Sequence, residues 1–549
     1  MIPGSCANNK TLAVDFQEAR VDALFADLDR SHMPGAAVGI ASAGRPVYRK
    51  GFGLANMELP VMLSPTTRLR IGSTTKHFTC LAYLLLCEDG RAGLDDPIGK
   101  YLPELHPVTH AVTVRQLMGN VSGLRDAHDI AWQFSGTGRP VASADVLSLY
   151  RGIDDVNASP GTAYIYNNGG FLMLSAAIER IAGRSLEEVF RERLFAPVGM
   201  HDSLLRRVDT DFVPNSAALH MTNPAYHRPA LQIASPQQGF EKASLGTLAG
   251  EAGIVSTVDD MLRWLSHMDH PVVGHASTWN ALRTPQTLAN GAATGYGLGL
   301  VLSHYRGAQM LSHPGGVLGG NSQMLKIPAA GLDIVILTNR ADVSALLLAN
   351  RVLDACLPDL EPAQKRPPPG TASAGVFRSP DSERIIELYE QDGQQMAALD
   401  GLDMAFDPDS DGVLWPTGVF QGYTRQGINP MGDPPRPRSL QLTDFGCLDT
   451  LLPIEPAEAQ DARRLSGRYR SHSTGTEAIF HGSAQQHLLT TIGRFGEAQF
   501  TIHPLGARAW RAKSVGAMPW GGILAFDADY ARFRFTSFRT RALPFERVT

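Results

Sequence analysis

Ser73 and Lys76 stand three residues apart in Ser73-Thr74-Thr75-Lys76, a spacing that can turn an alcohol into a nucleophile. After Thr75 the sequence reads HFTCLAYLLLC, apolar at Phe78, Leu81, Leu84, Leu85 and Leu86, which predicts a mostly buried helix ended by Asp89-Gly90. Side chains at i and i+3 share a helix face, so Lys76 is expected one turn from Ser73. Burial favours the neutral amine, which can serve as a base toward a hydroxyl. Ser73 would also sit near the helix N-terminus, where free N–H groups and the dipole favour a developing negative charge. The plain alternative is a serine N-cap followed by an incidental lysine. A Ser-x-x-Lys string occurs by chance about once in a chain of this length, so other residues must decide.

Two further clusters carry suitable chemistry. One is Pro160-Gly161-Thr162-Ala163-Tyr164-Ile165-Tyr166-Asn167-Asn168-Gly169-Gly170, and the other is Ser312-His313-Pro314-Gly315-Gly316 between strand-like runs. Taken singly, Tyr166 reads as a half-buried tyrosine, Asn168 as a turn residue and His313 as a structural histidine. His267, His270 and His275 in SHMDHPVVGH do not match a compact zinc spacing and lack a nearby Cys or Glu. They read as solvated or capping residues, and neither a metal nor a cofactor is expected.

The elements that must position these residues begin with an amphipathic helix at Val21, Leu24, Phe25 and Leu28. A hairpin follows, AAVGIA and PVYRKGFG about Gly44. Residues 73 to 290 are dominated by helical patterns, after which YGLGLVL, QMLKIP and DIVILTN read as strands and Val343, Leu346, Leu347 and Leu353 as a closing helix. An antiparallel sheet built from both ends of this block beside a helical insertion gives an α+β class. CLPDLEPAQKRPPPG is the clearest linker. Beyond it ERIIELYEQDGQQMAAL predicts a hairpin at Asp392-Gly393, ARFRFTSFR a half-buried strand, and INPMGDPPRPRS a long loop. Gly375-Val376-Phe377-Arg378-Ser379 is echoed by Gly467-Arg468-Tyr469-Arg470-Ser471, as though each opened a similar β-barrel.

The 549 residues exceed the usual single-domain size, and 43% hydrophobic with 19% charged residues describes an ordinary globular chain with ample core. A net charge of -5 gives no general attraction to nucleic acid or anionic membrane. The N-terminus has no basic region followed by a long apolar run. Cys6, Cys80, Cys87, Cys356 and Cys447 are few, odd in number and without CxxC spacing. The expectation is a soluble cytoplasmic protein with no membrane or nucleic-acid partner.

In their order and spacing, Ser73-x-x-Lys76, Tyr166-x-Asn168 and His313-x-Gly315 resemble the three motifs of penicillin-recognising serine hydrolases related to class C β-lactamases. The resemblance runs through GFGLAN, VSGLRD, GIVSTVDDM and YGLGL, roughly residues 15 to 350. Class C β-lactamases usually carry Lys-Thr-Gly as the third motif. His313-Pro314-Gly315 is instead similar to the histidine form of D-aminopeptidases, D-amino-acid amidases and some related peptidases and esterases. With RIGSTTKHFTC, NVSGLRD and the barrel tail, the chain resembles the D-stereospecific aminopeptidase group. That resemblance implies a class C β-lactamase-like catalytic domain over 1–357 (antiparallel sheet with helical subdomain), a linker over 358–370, and two antiparallel β-barrels over 371–460 and 461–549.

It also implies roles. Ser73 would form an acyl-enzyme, with Lys76 and Tyr166 sharing the proton transfers and neither singled out as the dominant base. The backbone N–H groups of Ser73 and Gly316 would bind the oxyanion, glycine at 316 allowing close backbone approach. Asn168 and Gly315 would hold the substrate, and His313 would hydrogen-bond the acyl intermediate or the Tyr166 system. The expected substrate is a small amide, peptide or ester, most plainly a D-aminopeptidase or D-amino-acid amidase substrate. A carboxylesterase or DD-carboxypeptidase is the enzymatic alternative, and a β-lactam or peptidoglycan-fragment receptor that acylates without turnover is the non-enzymatic one. In the aminopeptidase group a loop of the last barrel is expected to help select a free amino end. Its counterpart here, KSVGAMPWGG at 513–522, has no Asp or Glu, while Met518 and Trp520 offer an apolar lid. A homodimer is compatible with the resemblance.

Overall fold

The computed structural model of the chain describes residues 12–135, 141–222, 240–242, 248–363, 372–417, 426–455, 464–482, 487–506, 508–515 and 521–548. They fall into two compact units, one of residues 1–92, 181–285 and 295–364, the other of residues 93–180, 286–294 and 365–549.

The first unit is organised by a six-stranded antiparallel sheet in the order Val301–Tyr305, Ala308–Val317, Gly320–Ile327, Leu332–Thr338, Ala36–Ser42, Arg45–Phe52. Strands from the two ends of the block thus meet, as expected, with Val38 opposite both Ile336 and Lys50. LDIVILT is buried along its whole length, as a central strand covered on both faces requires. One cover is a core in which Val21, Phe25, Val352 and Leu353 pack beneath Ile40, Ile334 and Ile336. Val258–His267 packs against Ala36–Ser42 and Leu332–Thr338. YGLGLVL differs from its predicted form, since the strand begins only at Val301. Gly295 and Gly299 hold φ of +70° and +73°, left-handed values that no strand can continue through.

The second unit contains two closed barrels of eight antiparallel strands, Gly375–Pro453 and Gly467–Val548. The repeated pentapeptides open them. Gly375–Arg378 pairs with both Ile385–Gln391 and Cys447–Pro453, and Gly467–Arg470 with both Glu477–Gly482 and Leu543–Val548, so each closes its barrel. Asp392 and Gly393 turn the predicted hairpin with φ of +52° and +75°, the two left-handed residues of a tight β-turn. In the strand Arg532–Thr536, Phe533 and Phe535 point inward while Arg532 and Arg534 are exposed. INPMGDPPRPRS is not all loop. Ile428 to Met431 continue the strand Gln426–Met431, which pairs with Ser439–Asp444. Pro430 is tolerated because, among the described residues, the strand on the other side, Leu414–Pro416, pairs at Ile428 and asks no N–H of it.

A helix of the same unit docks on the second barrel. Phe134 of the helix Ala127–Ser135 lies 5.0 Å from the Phe535 ring and 5.7 Å from that of Phe545. Gln133 Nε2 donates to Gly521 O at 3.0 Å. Cys80, Cys87, Cys356 and Cys447 are free thiols, and Cys6 lies outside the described residues. Among the described residues no helix is long and apolar enough to cross a membrane.

Candidate active site

The predicted nucleophile helix spans Thr75–Glu88, preceded by a 3₁₀ turn over Gly72–Thr74 that carries Ser73. Its first hydroxyls fix the turn from several sides. Thr74 Oγ1 donates to His313 O at 3.0 Å, Thr79 Oγ1 to Gly250 O at 2.7 Å, and Thr75 Oγ1 accepts the Ile254 N–H at 3.1 Å. Ser322 Oγ donates to Ile71 O at 2.7 Å. The hydroxyl of Ser73 is engaged differently, by Lys76 Nζ at 3.3 Å.

Lys76 is fully buried, and its Nζ donates to Glu251 O at 2.8 Å. Once it has given up a proton, an amine bonded to that carbonyl through one hydrogen can aim its lone pair at the Ser73 hydroxyl. Glu251 was not legible as a functional residue. Its carboxyl is buried, with Oε1 accepting the Ala249 N–H at 2.9 Å and Oε2 without a hydrogen-bond partner among the described residues. Burial raises its pKa, opposed by its backbone N–H bonds and by the nearby Lys76 charge. A lone acid inside the small-residue run Ala249-Gly250-Glu251-Ala252-Gly253 was the available signal.

His313 is 1% exposed on the strand Ala308–Val317. Its Nδ1 lies 2.6 Å from Pro314 O and its Nε2 2.9 Å from the Tyr296 hydroxyl. A carbonyl only accepts, so Nδ1 carries the hydrogen and Nε2 accepts from Tyr296 in the neutral ring. Burial, with the Lys76 charge adding to it, pushes the imidazole down to about 3, so it stays neutral. Tyr296 comes from the YGLGL string, whose role had shown only as a likeness. Gly299 of that string comes so close that an added Cβ would lie 2.7 Å from His77 Cα and 2.9 Å from Lys76 C.

The same strand brings Gly315 and Gly316 against the nucleophile turn. A Cβ on Gly72 would lie 2.8 Å from Gly316 N, and one on Gly315 would run into Ile71 O and Ser322 Oγ. The close approach expected at Gly316 is therefore made by its neighbours, since a Cβ on Gly316 itself meets nothing within 4 Å. Ser73, Lys76, His313, Gly315 and Gly316 all belong to the first unit.

Tyr166 and Asn168 belong to the second unit, at the start of the helix Asn168–Ala182. Asp126 takes the Asn168 N–H at 3.0 Å and the Gly169 N–H at 2.9 Å, a carboxylate at a helix N-terminus. Asn120 accepts the Ile165 N–H on its backbone oxygen at 2.9 Å and the Asn167 N–H on Oδ1 at 3.0 Å. Asn120 and Asp126 are the ends of NVSGLRD, so that string cradles the tyrosine motif. Of the 513–522 loop, residues 516–520, with Met518 and Trp520, lie outside the described residues.

The three histidines of SHMDHPVVGH serve structure where their partners are seen. His267 Nε2 accepts the Val273 N–H at 3.1 Å, its ring 5.1 Å from that of Trp264, and burial lowers its pKa to about 4. His275 Nδ1 lies 3.6 Å from Glu88. Among the described residues no group of three or more His, Cys, Asp or Glu is placed to hold a metal.

A helix-flanked antiparallel sheet with a serine hydrogen-bonded to a buried lysine at the mouth of a helix defines a serine acyl-transfer hydrolase. The chain belongs to the beta-lactamase family, whose model matches residues 21–357. It is similar to the D-aminopeptidase of Brucella canis, 29% identical over 373 residues that cover 67% of this chain and 68% of that one. The D-aminopeptidase of Cereibacter sphaeroides is 27% identical over 515 residues, 91% of each chain. In fold it is similar to the octameric penicillin-binding protein homologue from Pyrococcus abyssi, with a TM-score of 0.54 at 17% identity over 97% of this chain and all of that one.

Proposed function

We propose that the chain hydrolyses a small amide or peptide at a D-amino-acid residue through an acyl-enzyme on Ser73. The observation that carries this reading is the Ser73–Lys76 pair, 3.3 Å apart with the amine fully buried and its direction set by Glu251 O. The D-aminopeptidase relatives support the substrate class.

In this mechanism Ser73 Oγ attacks the substrate carbonyl while Lys76 takes its proton, and the proton passes to the departing amine as the C–N bond breaks. The N–H groups of Ser73 and Gly316 stabilise the oxyanion. Water then adds to the acyl carbon, gives its proton back through the same groups and releases the acid. Tyr166 is assigned as second proton carrier, and Asn168 and Gly315 as substrate-binding residues, on the strength of their motifs. His313, neutral and engaged at both ring nitrogens, is assigned to hold the strand that carries Gly315 and Gly316. A cytoplasmic location and a homodimer are part of the same proposal. Free cysteines among the described residues support the first, and the family resemblance the second.

Whole-protein mass spectrometry during turnover tests the chemistry, using D-alanine p-nitroanilide, its L-form, a short-chain p-nitrophenyl ester and a D-Ala-D-Ala peptide. The expected result is a transient acyl adduct on Ser73 from the D-anilide, absent in Ser73→Ala. Full turnover by Ser73→Ala sinks the mechanism, and a stoichiometric adduct without steady-state turnover favours the receptor.

A further inference from the structure

The last turn of the second barrel reaches the second motif within one unit. Ser537–Ala542 joins the strands Arg532–Thr536 and Leu543–Val548. Ser537 Oγ and Thr540 Oγ1 both donate to Asp129 Oδ2, at 2.9 and 3.0 Å. Asn157 Nδ2 donates to Arg539 O at 2.8 Å, Arg125 Nη1 to Arg541 O at 2.7 Å, and the Arg541 N–H to Asn157 Oδ1 at 2.9 Å. Bonds on both sides of Arg539 thus hold its backbone in one place.

From there the Arg539 guanidinium lies over the Tyr166 ring, 5.0 Å from its centroid. Its charge also faces two buried carboxylates, Asp126, whose Oδ2 lies 3.8 Å away and accepts the Asn168 N–H, and Asp129; its Nε has no hydrogen-bond partner among the described residues. Neighbouring arginines are spent on structure: Arg125 pairs with Asp155, Arg384 with Asp400 and Asp444, and Arg541 with Asp444. The first barrel grips the same segment two residues earlier, where the Tyr164 ring lies 4.7 Å from that of Phe445.

The geometry points to Arg539 as a positioning residue for acyl transfer, holding the Tyr166 ring and favouring its phenolate, so that the C-terminal barrel completes the second motif. This rests on the reading of Tyr166 as a proton carrier. A cation over an aromatic face is attracted to it and favours negative charge on the ring oxygen. In acylation Tyr166 receives from Lys76 the proton that left Ser73 and passes it to the departing amine, while Arg539 keeps its own protons throughout.

The test uses the full chain and D-alanine p-nitroanilide, with Ser73→Ala and Tyr166→Phe as references. Arg539→Ala should lower kcat about 10- to 100-fold with KM changed less than about threefold, a fraction of what an acid–base group contributes. Tens of millimolar guanidinium chloride should restore Arg539→Ala but not Tyr166→Phe, and Arg539→Lys should exceed Arg539→Met in kcat. Wild-type kcat in Arg539→Ala overturns the assignment. So does a loss that neither lysine nor guanidinium recovers, which marks the arginine as purely structural, or a loss confined to the KM of substrates ending in a carboxylate. If Arg539→Ala does not fold, the Lys/Met comparison decides, and equal kcat values overturn the assignment. A wild-type chain inert toward the whole panel refutes the hydrolase reading itself.

Discussion

Replacing Gly299 by alanine should move Lys76 without replacing any residue assigned to the chemistry. Gly299 has φ +73°, and the methyl of alanine would lie 2.7 Å from both the N and the Cα of His77 and 2.9 Å from the carbonyl carbon of Lys76. Ordinary carbon contacts need roughly 3.5 Å, so the loop and the first helical turn must part by about 0.8 Å. The obstacles are backbone atoms with no rotamer to yield. Lys76 Nζ is 3.3 Å from Ser73 Oγ, and an added displacement of that size carries the pair outside hydrogen-bond range. Misplacement of reacting groups by about 1 Å costs about 100-fold, so acylation should slow by about 10- to 100-fold.

Gly199 supplies the control, because its φ is +77° and a Cβ there meets nothing within 4 Å. Gly199→Ala bears only the left-handed backbone penalty, about 1–2 kcal/mol. Gly299→Ala bears that plus overpacking of about 1–3 kcal/mol. Stopped-flow acylation with a p-nitrophenyl ester, alongside urea denaturation, measures both. A Gly299→Ala chain that acylates at the wild-type rate, or loses no more stability than Gly199→Ala, would show that this contact does not set the lysine position.

Three other outcomes follow from single contacts. Tyr296→Phe removes the donor to His313 Nε2 and leaves a buried acceptor unpaired, so it should cost about 1–3 kcal/mol in denaturation while Tyr296→Leu brings no relief. Because burial holds His313 down to about 3, the unfolded chain binds a proton below about 6.5 that the native one refuses, and this part of the stability falls as pH drops from about 6.5 toward 3. A kcat/KM acid limb that vanishes in His313→Asn would contradict a ring already neutral. Asp129 has the opposite sign: burial first, then the neighbouring Asp126 charge, lift it to about 6 against the opposing effects of Arg539, Ser537 and Thr540. The native state therefore holds that proton more tightly than the unfolded one. Its contribution is full below about 3.8 and is lost as pH rises through about 6, about 3 kcal/mol in all. Asp129→Asn should lose this pH dependence, read as the wild-type minus variant difference in urea midpoint between pH 4 and 8; an unchanged difference refutes it.

The catalytic sheet, the nucleophile helix and both barrels were legible because each rests on a local pattern: period-2 strands, a helical apolar stripe and the paired openings at Gly375 and Gly467. YGLGLVL misled because its apolar residues alternate with glycines, and alternation cannot distinguish a strand from a loop that needs left-handed backbone. Glu251 escaped for a different reason. Its backbone oxygen receives the lysine, and a main-chain acceptor leaves no trace in residue type. Arg539 was equally hidden, since its partner Tyr166 is hundreds of residues away in the sequence and meets it only after the barrel has closed.

Three of the four strings that carried the family likeness outside the three motifs have mechanical explanations. NVSGLRD supplies Asn120 and Asp126, which bind the backbone around Tyr166 and Asn168. GIVSTVDDM supplies the Ile254 oxygen and N–H, which bind the Ile71 N–H and the Thr75 hydroxyl on either side of Ser73. YGLGL supplies the hydroxyl that fixes His313 and the glycine that lies against Lys76. Each string thus positions a motif without taking part in bond making. An arrangement built this way tolerates change in what the substrate touches more readily than change in what holds Lys76 beside Ser73.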